Sequence, residues 1–209
     1  MGPVLPASPN WSVNVARYSV LHAPSSVGGN PQGLSRAMKR LGVNSCSMVV
    51  SQNYLSYPAD IVLHRTRQSL FVRELKRLWS IFFLLPRFDV IHYNAGTTIA
   101  CAYAFEFSYS SGLRGLVRFI YASYLRGLQT LELLYIRLLK KRVFITFQGD
   151  DARQGDFSLK NFEISIASQV DEGYYCPVSD DFKRRNIARL CALARGVYSL
   201  NPDLMHLLP

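Results

Sequence analysis

The chain has 209 residues, 49% of them hydrophobic and 18% charged, with a formal net charge of +10. That apolar fraction supplies a buried core and excludes a wholly disordered chain, while no apolar run approaches the roughly 20 residues that cross a bilayer as a helix. Four cysteines (Cys46, Cys101, Cys176, Cys191) stand far apart without a C-x-x-C pair, so neither a zinc site nor a disulfide framework is indicated.

The charge is unevenly placed. Residues 1–142 hold 17 of the 24 Lys/Arg and 5 of the 14 Asp/Glu, so the positive field belongs to the first two thirds. Such a field suits an anionic partner: nucleic acid, acidic lipid or a phosphorylated small molecule. Residues 1–16 lack the basic start and apolar stretch of a secretory signal and read as a flexible leader to one domain over 17–209. The expectation is a cytoplasmic protein, peripheral on the inner face of the cell membrane.

In chain order, Arg17 to Ala23 is a β-prone run, followed by a Gly28–Gly29 loop and a helix with Asn30 as N-cap, Pro31 at its first position and Gly42 at its end. Leu34, Ala37, Met38 and Leu41 mark its apolar face. "NSCSMVVS" (44–51) is the second strand and "DIVLH" (60–64) a short third. Over 66–85, Phe71, Leu75, Leu78, Trp79, Phe82 and Leu85 recur at helical spacing until Pro86 stops the helix. "DVIHYN" (89–94) is the next strand, and helices are expected over about 98–108 and about 113–140, the second broken near Gly127. "RVFITFQ" (142–148) is the clearest buried strand; a helix over Asp181–Ala194 and a strand "VYSL" (197–200) complete the series. Strand alternating with helix predicts a doubly wound, Rossmann-like α/β domain with a parallel sheet of about five to seven strands.

In such a sheet the ligand crevice lies beyond the carboxyl ends of the strands. Four strands here end in "APSSVGGN", "HYNAGT", "QGDDAR" and "SLNPD", all polar or glycine-rich. The glycine loop has neither G-x-G-x-x-G nor G-x-x-x-x-G-K-[ST], so the standard dinucleotide and P-loop patterns are absent; a plain tight turn accounts for it as well as a ligand does. His92 and Asn94 share a strand face, which is either crevice or core. Asp150 and Asp151 are adjacent, so their side chains diverge, and Arg153 is placed to neutralise one of them. No metal is expected.

Taken together, the glycine pair before a helix, "DVIHYN", "VFITFQGDDAR" and the terminal "ARGVYSLNPDLMHLLP" resemble the N-terminal half of GT-B glycosyltransferases of the family-4 type, over about residues 17–209. The resemblance implies sugar transfer from a nucleotide-sugar donor to a cell-envelope glycan or lipid-linked acceptor. It implies His92, Gln148 and Asp151 as catalytic residues and Gly28, Gly29, Asn94, Gly149, Asp150, Arg153 and Asn201 as substrate-binding ones. No cofactor is implied beyond the donor substrate. Gln148 stands where many relatives have a histidine, and Asn94 replaces a frequent second one. The family's second domain, which binds most of the nucleotide, is not within these residues, so a separate C-terminal domain or subunit is expected and activity without it is not. Basic helices over 66–87 and 113–142 fit docking on an anionic membrane, and a non-catalytic module held there is the alternative. Nucleic acid is not expected, since no helix-turn-helix, zinc-finger or aromatic RNA-binding signature accompanies the charge.

Overall fold

In the computed structural model, which describes residues 18–101 and 112–209, strands and helices follow one another as β1 Ser19–Ala23, α1 Asn30–Arg40, β2 Asn44–Ser51, β3 Ile61–His64, α2 Leu70–Trp79, β4 Val90–Asn94, α3 Gly112–Leu138, β5 Arg142–Phe147, α4 Gly155–Asn161, α5 Pro177–Cys191 and β6 Gly196–Ser199. The six strands form one sheet in the order β3-β2-β1-β4-β5-β6, with every neighbouring pair parallel. This is the doubly wound α/β arrangement predicted from the alternation of strand and helix. The order reverses between β1 and β4, which leaves a crevice above their carboxyl ends.

Right-handed crossovers fix where the helices lie. The step from β1 to β2 puts α1 on one face; the steps from β3 to β4, β4 to β5 and β5 to β6 run the other way and put α2, α3 and α5 on the opposite face. There Leu21, Ile91, Tyr93, Val143, Ile145 and Phe147 join Ile81, Leu128, Ile136 and Leu190 in one fully or nearly buried cluster. On the first face α1 sits toward β2, where Ser35 and Ser45 hydroxyls meet at 3.0 Å. A groove of about 590 Å³ remains beside it, floored by Val20, Val90 and Phe144 and edged by Leu34 and Met38.

Several local expectations are corrected. The buried residues of α1 are Pro31, Gln32 and Ser35, while Leu41 is exposed, because the helix leans on β2 rather than over the sheet centre. Helix α2 runs into a π-turn, Ser80–Leu84, which inserts a residue and rotates the apolar positions after it relative to those before. Ile81, Leu84 and Leu85 are therefore buried, whereas Phe71, Leu75 and Trp79 face outward. Helix α3 is continuous through Gly127, since Leu125, Leu128, Glu132 and Ile136 bury an unbroken stripe across it.

Glu132, fully buried, accepts hydrogen bonds from the Tyr93 hydroxyl and from the backbone N–H groups of Ile99 and Ala100 at 2.5, 3.1 and 2.9 Å. That clasp holds 98–101 as a turn; the rest of the helix expected over 98–108 lies outside the described residues, as does the leader. Helix α5 starts a turn earlier than Asp181, with Pro177 as its first residue, and the short α4 has no counterpart in the sequence reading. No helix among the described residues is long and apolar enough to cross a membrane.

Candidate functional site

The carboxyl ends of β1, β4, β5 and β6 bring the four polar loops together. After β1, Val27–Gly29 makes a tight 3-10 turn in which Gly28 and Gly29 take φ of 61° and 68°. At Gly29 a Cβ would stand 2.8 Å from the Tyr57 ring, so both space and backbone require glycine there. Gly29 is also the N-cap of α1, in left-handed conformation, which corrects the expected Asn30 cap. Asn30 is thereby freed, and its amide donates across the crevice to Gln148 Oε1 at 3.3 Å.

The loop after β5 is held by its own aspartates. Asp151 accepts from the backbone N–H of Gln148 (3.0 Å) and Gly149 (2.6 Å), and burial raises its pKa against the effect of those bonds. Asp150 turns the other way, accepting from Arg153 at 2.8 Å and from the hydroxyls of Tyr174 and Tyr175 at 2.6 Å each. Burial opposes its ionisation, but those three donors outweigh burial and hold its pKa below the usual carboxylate value. Arg153 also donates to Asp203 at 2.8 Å, tying this loop to the segment after β6. Asn201 completes the tie by donating to the Gln148 carbonyl at 2.5 Å. Gly149 has room to spare, as a Cβ there would lie 3.7 Å from the Asn201 amide.

Beneath the loops is a histidine pair. In the β1–β4 register His22 lies opposite His92, and their Nδ1 atoms are 2.8 Å apart. His92 Nε2 lies 2.8 Å from the Thr146 hydroxyl. Burial lowers the pKa of His92 to about 4; burial and then the His92 charge lower that of His22 to about 3. Both rings are thus neutral at pH 7, and the single proton between the Nδ1 atoms belongs to whichever ring the Thr146 hydroxyl orients as donor. Asn94, on the same face, turns back to donate to its own strand at the His92 carbonyl, 3.1 Å away.

The structure therefore gathers Gly28, Gly29, Gln148, Gly149, Asp150, Asp151, Arg153 and Asn201 at one crevice, with His92 below it and Asn94 folded against its strand. His22 was not among the site residues expected from the sequence, although "LHA" and "IHYN" both place histidine near a strand end; the β1–β4 pairing was the missing link. It also missed Gln32. That residue is 1% exposed, and neither of its side-chain amide atoms has a hydrogen-bond partner. His22 Nε2, Ser25 Oγ and Gln148 Nε2 share that state, so one group of such atoms lies around the β1–α1 junction and the β5 loop, a second lying on α2. Buried amide and hydroxyl groups without a protein partner can bond water or a polar ligand. Among the described residues no three His, Cys, Asp or Glu side chains are grouped to hold a metal ion.

Comparison of the chain with protein-family models, with curated proteins and with solved structures finds no match.

Proposed function

We propose that this chain is the acceptor-side half of a GT-B-type glycosyltransferase, moving a sugar from a nucleotide-sugar donor to a cell-envelope acceptor. The observation that carries the reading is the Asn30–Gln148 bridge between the glycine loop and the β5 loop, with unpartnered amide atoms of Gln32 and Gln148 around it. Amide groups suit sugar hydroxyls because each both donates and accepts. The amino-terminal end of α1, with no acidic residue in its first turn, favours a leaving diphosphate through its N–H groups and dipole.

On this reading catalysis is positional and electrostatic: the crevice orients the acceptor hydroxyl and stabilises charge on the leaving group. Gln148, the glycine pair and α1 face substrate. Asp151, with its oxygens on backbone N–H groups, and Asp150, with Arg153, fix the loop that presents Gln148. His92, oriented by His22 and Thr146, forms the neutral polar floor.

The reading requires a donor-binding domain, in the same polypeptide or in a partner. With that domain supplied, release of nucleoside diphosphate is expected from at least one member of a donor panel, and Gly29→Val should lower the rate by more than about tenfold. No turnover of any donor by the completed enzyme overturns the proposal.

A further inference from the structure

Helix α2 is turned with its charged side inward. Glu74 and Arg77 lie 3.7 Å apart with side chains 15% and 8% exposed, and the Tyr121 hydroxyl of α3 donates to Glu74. Arg73 Nε, Arg77 Nε and Glu74 Oε2 are buried without hydrogen-bond partners. Outward, at i, i+4, i+8 and i+12, stand Phe71, Leu75, Trp79 and Phe83, exposed by 72, 51, 44 and 62%. Water favours the opposite rotation, because desolvated charges and hydrated aromatic rings both cost free energy. An apolar phase outside the helix favours the rotation observed.

Helix α3 extends the same surface. Both helices run from the carboxyl ends of strands back toward their amino ends, side by side at the Glu74–Tyr121 contact. Above that contact α2 continues for about 6 Å and α3 for about 13 Å, at about 1.5 Å per residue. That projecting end of α3 exposes Leu113, Phe119 and Ile120 by 76, 64 and 58%. Neither helix shows a carboxylate to solvent: their only acids are Glu74 and the fully buried Glu132. Exposed cations flank the patch, with Arg65 and Arg67 leading into α2 and Arg114 on the first turn of α3.

We infer that this α2–α3 face docks on an anionic lipid bilayer, its apolar stripe entering the headgroup–acyl boundary and its arginines meeting lipid phosphates. Charge selects this occupant over a second copy of the chain, which would bring the same excess of positive charge to the contact. The amino ends of both helices lie at the end of the sheet that carries the crevice. Docking therefore sets the crevice close to the headgroups, and, resting on the transferase reading, makes the acceptor an amphiphile held in that membrane.

The test uses the full chain with Trp11→Phe, which leaves Trp79 as its one tryptophan, mixed with vesicles of phosphatidylcholine alone or with phosphatidylglycerol. Co-sedimentation with the anionic vesicles is expected, with quenching of Trp79 by lipids brominated on the acyl chain. Phe71→Ser combined with Phe83→Ser, at exposed positions that leave the core intact, should weaken binding by about tenfold or more. No binding to anionic vesicles, or binding without quenching, overturns the proposal. So does lipid-free self-association abolished by the same double substitution, which would make the face an interface between copies. No sugar donor is present, so failure here leaves the transferase reading standing, and absence of turnover leaves the docking standing.

Discussion

Two neutral histidines sharing one hydrogen bond inside the sheet give the protein a pH dependence of known sign. Both folded pKa values, about 3 for His22 and about 4 for His92, lie below the unfolded value of 6.5. Below pH 6.5 the unfolded chain binds protons at these rings that the folded chain refuses until near its own pKa values, so stability falls as the pH falls. The slope reaches about 1.4 kcal/mol per pH unit for each histidine. Carboxylates with lowered values, such as Asp60, Asp89 and Asp150, lose their contribution only below about pH 4, so the two windows separate. Urea denaturation at intervals from pH 7 to about 4.5 should show this loss, and His92→Gln should remove one histidine's share of the slope. At this scale the sequence displayed the residues but, the Arg153–aspartate pair apart, not their partners. Asn30 reads as a helix cap from its position before proline; it bridges to Gln148 because the left-handed Gly29 caps the helix in its place.

Among the elements, those whose signal is local were legible. β2 lies where its apolar run places it, and β1, β4, β5 and β6 lie within a residue or two, because short β-prone apolar runs bounded by turn residues mark strands locally. The errors came where phase or tertiary support intervened. The π-turn after α2 breaks the 3.6-residue period that assigned Phe71, Leu75 and Trp79 to the core. Gly127 was expected to break α3, yet a helix with packed residues on both sides of a glycine carries through it. Gly127 is exposed, with nothing within 4 Å of where its Cβ would be. Gly127→Ala is accordingly expected to stabilise the protein by about 0.5–1 kcal/mol, read as a shift in the denaturation midpoint.

For the whole molecule, alternation of strand and helix was enough to anticipate a parallel sheet, but not its order or the unequal cover of its two faces. Among the described residues no second helix lies beside α1, because the 52–60 connection joins β2 to β3 without one. The crevice was legible as a set of polar strand ends. Within it the pairing of Arg153 with an adjacent aspartate was legible, and Asp150 is that partner; the ties to Asp203, Tyr174 and Tyr175 were not, since those residues arrive only with later elements.

The seam between β1 and β4 also bears on how the chain reaches its native state. His22 and His92 are 70 residues apart, whereas β1 meets β2 across only 25. Closing the longer loop costs more conformational entropy before any contact offsets it, so the local β1–α1–β2 unit should gain protection first and β4 slot in beside it later. Pulsed hydrogen exchange during refolding should find the amides of Asn44–Ser51 protected before those of Val90–Asn94; simultaneous protection would contradict this order. The crevice straddles that late seam, so binding competence should be among the last properties a newly made chain acquires.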